Sequence, residues 1–248
     1  AFAAQIRQCK TKAEVAKAVL AVSDAGLDLD AAMANAALQM LAKRALELRT
    51  KNAVGYRMAS DAAEMGKRIM ADLTQKAEHG HGLHHEAIYT PTTVTYSSYI
   101  ALLARAAAAG ADNVGLDDGL GALAAMRARS YEPDGYDLAS LLTLCANCGM
   151  MPAIGRFARG RALVNEFKSA GVALDKVVYN GLLLVCARDG ASSLADAFVV
   201  LEEMEAAGMQ PDAYTYATML DLVSRTGARR EDAEEVLKRM EAAGVPLT

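Results

Sequence analysis

Histidines, cysteines, glycines and acidic side chains are the raw material of metal, phosphate and acid-base chemistry, and this sequence holds a local cluster of each. All four histidines fall in EHGHGLHHE, at 79, 81, 84 and 85. A dense imidazole tract holds a transition metal when cysteine or carboxylate partners complete the coordination. Here glycines interrupt the tract and spacing defines no partner, so a surface loop is expected. Cys145 and Cys148 make half of a zinc pattern with no second pair, and both fall in an apparent helix. The glycines of GLDDGLG at 115–121 lack the Gly-Lys-Ser/Thr ending of a phosphate loop and follow no strand, which leaves them marking a loop. Glu202, Glu203 and Glu205 sit on the polar face of a helical pattern, where solvation accounts for them better than acid-base work. No serine, cysteine and histidine arrangement suggests a nucleophile. The expectation is a chain without catalysis, metal or cofactor.

The elements that position any site must be helices. The 248 residues include 12 methionines, no tryptophan and only five prolines, with alanine and leucine abundant. β-Branched residues never gather into alternating runs, so an all-α fold is expected. A net charge of -4 argues against indiscriminate coating of nucleic acid but leaves room for a local basic track. No apolar run approaches the roughly 20 residues that span a bilayer; the nearest are broken by Arg105 or by Asp189 and Gly190, so no membrane insertion is expected. Cys9, Cys145, Cys148 and Cys186 form no disulfide framework and suggest a reducing compartment. The chain begins at Ala1 without an initiator methionine, which fits either a cleaved targeting segment or further residues upstream.

Self-similarity organises the rest. Laying 176–212 over 213–248 places Tyr179 on Tyr216, Gly190 on Gly227, Ala197 on Ala233, Leu201 on Leu237, Met204 on Met240 and Gly208 on Gly244. Each unit reads as two amphipathic helices: Ala233, Val236, Leu237, Met240 and Ala243 recur at helical spacing, with Glu234, Glu235, Lys238 and Arg239 left mostly for solvent. Glycines near 190, 208, 227 and 244 suit helix ends. A single hairpin cannot bury both apolar faces, so neighbours must stack. The spacing gives a partial repeat at 1–30, an irregular repeat with an insertion at 31–92, a repeat at 93–134, a repeat with an insertion at 135–175, and repeats at 176–212 and 213–248, one continuous solenoid. Extended insertions are expected at 44–60, 110–118 and 150–160.

The elements VTYS at 94–97 and VVYN at 177–180, the late methionine, the glycine four residues after it and the Pro-Asp ending together resemble the pentatricopeptide repeat family. The resemblance is strong over 93–248 and weak over 1–92. It implies a right-handed α-solenoid whose first helices line a concave surface for single-stranded RNA. It implies, too, that the fifth and last residues of each repeat read a base: Asn180 with Asp212, a pairing associated with uracil, and Ser97 with Asp134, associated with guanine. An amide or hydroxyl beside a carboxylate offers a donor and an acceptor to a base edge. Val94 and Val177 fit the packing position against the base, and Tyr136 and Tyr214 suit stacking. Ala139 with Asp175 and Ala217 with Thr248 depart from the pattern. Tyr96, Tyr179 and Tyr216 fall where the family packs helix on helix, a core role.

The thirteenth residues of successive units are Lys43, Arg105, Asn147, Arg188 and Arg225. Four cations at one repeated place would make a ladder for RNA phosphates; the competing reading is that basic residues near a helix end complement its dipole. Two readable bases, at roughly 1–3 kcal/mol of discrimination each, do not select one transcript from a large pool, so either repeats are missing from this chain or a larger assembly holds the solenoid beside its RNA, and the extended insertions favour assembly. The resemblance therefore points to an organellar, non-catalytic RNA binder, mitochondrial or alternatively chloroplast. Its partners would be rRNA or organellar mRNA and the protein subunits of a ribonucleoprotein such as the mitochondrial ribosome. The rival reading is a protein-binding scaffold of the same fold, since fold alone does not decide function.

Overall fold

Ten α-helices and no strand make up the described part of this computed structural model, which describes residues 14, 17, 18, 29–47, 53–79, 88–227 and 229–246. In chain order they are α1 (Ala31–Glu47), α2 (Ala53–His79), α3 (Thr93–Ala108), α4 (Leu116–Ala128), α5 (Gly135–Asn147), α6 (Arg156–Ser169), α7 (Lys176–Arg188), α8 (Leu194–Ala206), α9 (Ala213–Thr226) and α10 (Arg230–Ala242). The fold is an all-α helical repeat. It divides into two compact units, 1–133 with 147–150, and 134–146 with 151–248.

In the first unit α1 packs on α2 and α3, and α3 on α4. Leu38, Leu41, Leu73, Ile100, Leu102, Leu103 and Met126 are fully buried there, the apolar stripes that amphipathic helices must cover. In the second unit α7 packs on α6, α8 and α9, and α9 packs on α10. Gly181 of α7 lies so close to α5 that a Cβ would stand 3.2 Å from Leu142 Cβ, and a larger residue there would need Leu142 to give by a few tenths of an ångström. Tyr96, Tyr179 and Tyr216 are buried, the core role the sequence assigns them.

Local chemistry sets the helix ends. Thr92, Asp175 and Asp212 are extended N-cap residues whose side chains accept the N–H of Thr95, Val178 and Thr215, satisfying donors that a helix start leaves unpaired. Asp134 does the same for α5, its Oδ1 accepting from the N–H groups of Tyr136 at 2.9 Å and Asp137 at 3.1 Å. Gly227 closes α9 in the left-handed conformation at φ +62, where a side chain would be strained.

Three sequence expectations are corrected. The glycines at 115–121 do not mark a loop: Gly115 caps α4 and Gly119 and Gly121 lie inside it. Asp118 Oδ2 accepts the Gly115 N–H at 2.9 Å and the Lys67 ammonium at 2.9 Å, so a cap and an ion pair to α2 start the helix where glycine content alone argues against one. The insertion at 150–160 is shorter than expected, because α6 begins at Arg156, whose guanidinium binds the carbonyls of Ala146 at 2.7 Å and Met151 at 2.8 Å and folds the connection tightly. Glu203 is more than a solvated surface acid: it takes two bonds from Arg161, at 2.6 and 2.7 Å. Among the described residues no helix is long and apolar enough to cross a membrane.

Candidate nucleic-acid interface

In the second unit, a cluster of polar side chains forms where α7 meets the start of α9. Asn180, the fifth residue of its repeat, is half-buried on α7; Asp212 caps α9. The Thr215 hydroxyl joins them, 2.8 Å from Asn180 Oδ1 and 3.1 Å from Asp212 Oδ1. Thr215 is itself buried, and its hydroxyl also accepts the Asp212 N–H at 3.1 Å. The packing of α9 on α7 thus brings together the first expected reading pair, through a residue that sequence reasoning did not single out. Burial pushes the Asp212 carboxyl up, but the N–H and hydroxyl of Thr215 and the nearby Lys176 ammonium outweigh it and hold the group below the ordinary carboxylate value. Asp212 is therefore an anion at neutral pH. Asn180 uses Oδ1 on Thr215, which leaves its amide N–H groups to donate.

The other expected pair is divided between the units: Ser97 is half-buried on α3 in the first, and Asp134 is exposed at the start of α5 in the second. Val94, Tyr136, Val177 and Tyr214 are all about half exposed or more, from 51% to 61%, and each is the second residue of its helix, so an apolar or aromatic surface faces solvent at a repeated place. At the remaining fifth positions, Ala139 is half-buried and Ala217 exposed; Thr248 lies outside the described residues.

Of the ladder cations, Lys43 is exposed on α1, while Arg105, Arg188 and Arg225 lie in the last turns of α3, α7 and α9. Arg225 is exposed and pairs with Asp221 one turn earlier at 2.8 Å. Arg188 is half-buried, and its Nε is buried with no partner among the described residues.

One further pair was missed in the sequence. Asn35, fifth residue of α1, points Nδ2 at Thr92 Oγ1, 3.5 Å away, and its Oδ1 is buried with no partner among the described residues. Thr92 caps α3 with Thr95, whose Oγ1 lies 2.8 Å from the Thr92 N–H and 3.0 Å from Thr92 Oγ1. The arrangement parallels that of Asn180, Asp212 and Thr215. Its signal was available: Asn35 and Thr92 are the fifth and last residues of the unit 31–92.

Elsewhere, no group of three or more histidine, cysteine, aspartate or glutamate side chains among the described residues is placed to hold a metal. Cys145 is on α5 and Cys148 just past its end, both buried; His81, His84, His85 and Cys9 lie outside the described residues. Burial pushes the Cys186 thiol up to about 12.

Residues 174–225 match the PPR repeat family. The chain is similar in structure to the pentatricopeptide repeat protein PPR10 from maize, with a TM-score of 0.59 and 22% identity, over 100% of this chain and 34% of that one. It is similar also to PPR10 in complex with an 18-nt psaJ RNA element, with a TM-score of 0.60 and 20% identity, over 99% of this chain and 36% of the other. The chain thus spans about a third of the length of these solved chains, and the likeness is one of fold. No curated protein matches it.

Proposed function

We propose, from the match of residues 174–225 to the PPR repeat family and from the all-α repeat fold, that this chain is a pentatricopeptide repeat protein that binds single-stranded RNA and catalyses no reaction on it. The observation that carries this reading is the cluster of Asn180, Thr215 and Asp212: an oriented amide beside an ionised carboxylate, both within or beside exposed Val177 and Tyr214. Amide and carboxylate address a base edge, and the flanking side chains cover its faces. The solved PPR10 structure with an RNA element supports the reading by likeness of fold. Asn35 with Thr92 adds a further base contact.

The contacts within this stretch give too little discrimination to select one transcript, and its net charge of -4 supplies little non-specific hold, so further repeats of a longer protein or a surrounding assembly must supply the rest. We place the protein in a larger organellar ribonucleoprotein, of which the mitochondrial ribosome is one example and a chloroplast assembly the alternative, with rRNA or organellar mRNA and neighbouring protein subunits as partners. The test is ultraviolet crosslinking of RNA to the protein in its native assembly, followed by sequencing of the bound RNA. Charge reversal at Arg105, Arg188 and Arg225 is expected to abolish the crosslink; an unchanged crosslink removes the phosphate ladder. A protein-binding scaffold is the second reading, favoured by Ala217 at a reading position and by Ile154, 72% exposed. It predicts recovery of protein partners without RNA.

A further inference from the structure

The cluster at Asn180 has a charged member beyond the reading pair. Lys176, first residue of α7 and one turn before Asn180, places its ammonium 3.4 Å from Asp212 Oδ2. The two side chains are 45% and 43% exposed, so a base arriving from solvent meets an ion pair in place of a lone carboxylate. The other carboxylate oxygen, Oδ1, already accepts the Thr215 N–H at 3.1 Å. Asn180 Oδ1 accepts from the Thr215 hydroxyl at 2.8 Å. What faces a ligand is the Asn180 Nδ2 hydrogens, the ammonium hydrogens that Asp212 does not take, and an Oδ2 whose acceptor capacity is shared with that ammonium.

Adjacent donors suit a base edge that bears adjacent acceptors. Cytosine presents O2 and N3 in that way. Uracil carries an N–H at position 3, between O2 and O4, and that hydrogen must compete with the Lys176 ammonium for Asp212 Oδ2, whereas the acceptors of cytosine meet the ammonium directly. We propose that Lys176 is a specificity-determining residue of this site and turns its preference from uracil towards cytosine. The inference rests on the RNA-reading role of Asn180 and Asp212 proposed above.

The experiment compares binding of the full chain to oligouridylate and oligocytidylate of equal length, as wild type, Lys176→Met, Lys176→Arg and Asn180→Ala. Contributions from every other repeat cancel in the change of the uridylate-to-cytidylate affinity ratio on substitution. Lys176→Met is expected to raise that ratio roughly tenfold, within the range for one well-made base contact, and Lys176→Arg to leave it near the wild-type value. Asn180→Ala is expected to weaken both complexes. A ratio unmoved by Lys176→Met while Asn180→Ala still weakens binding overturns the role of Lys176 alone. Absence of binding to either RNA, or indifference to Asn180→Ala, overturns the reading role of the site and this inference with it. Lys176 is exposed and on the first turn, so unchanged thermal midpoints will show that the variants fold.

Discussion

Arg161 on α6 grips Glu203 on α8 with both guanidinium nitrogens, at 2.6 and 2.7 Å, joining the second helices of neighbouring repeats. These bonds hold the Glu203 carboxyl below the ordinary carboxylate value. A group depressed in the folded state stabilises above its unfolded pKa, and the contribution disappears as pH falls through the folded value. Stability is therefore expected to decline in the acid range below pH ~4.5, and Glu203→Gln to flatten that part of the profile in urea titrations. Partial exposure screens the pair, so the loss at neutral pH is put at about 1 kcal/mol.

Replacing Thr215 by valine keeps the shape and removes the hydroxyl that accepts from the Asp212 N–H and orients Asn180. A loss of about 1 kcal/mol in folding stability is expected from the weakened cap. RNA affinity should fall further than this loss explains, because Asn180 is no longer held in place. Chemical denaturation and binding isotherms on the same variant separate the two effects.

Asn35→Ala should behave in the opposite sense. The Oδ1 of Asn35 is already buried without a partner among the described residues, so its removal leaves no new orphan in the first unit. Stability within about 0.5 kcal/mol of wild type is expected, with weaker RNA crosslinking. A large loss of stability would mark Asn35 as a structural residue.

Cys145, Cys148 and Cys186 are all buried, and burial raises the Cys186 thiol to about 12. Thiolates are the reactive form. In a Cys9→Ser background, an aromatic disulfide reagent at pH 8 is expected to label none of the three until denaturant is added; rapid labelling of the native chain would contradict this burial.

Much of the fold was legible because its signals are local. Asp175, Asp212 and Gly227 announce helix starts and a stop within a few residues of themselves, and the stripe of Val236 and Met240 needs only helical periodicity. Reading failed where the deciding partner is distant in sequence. Gly119 looked like loop, and the Lys67–Asp118 ion pair that ties α4 to α2 spans 51 residues. Asn180 was found by position, but the Thr215 hydroxyl that fixes its donor face is 35 residues on. Glu203 looked solvated because Arg161 lies 42 residues before it.

The residues that end the repeats carry two obligations at once. Thr92, Asp134, Asp175 and Asp212 each close one repeat and cap the first helix of the next. Any redesign of what a repeat recognises must therefore draw its last residue from the short polar side chains that also start a helix well. The usable alphabet at that place is about four letters, and a bulky or apolar substitution is paid for by its downstream neighbour.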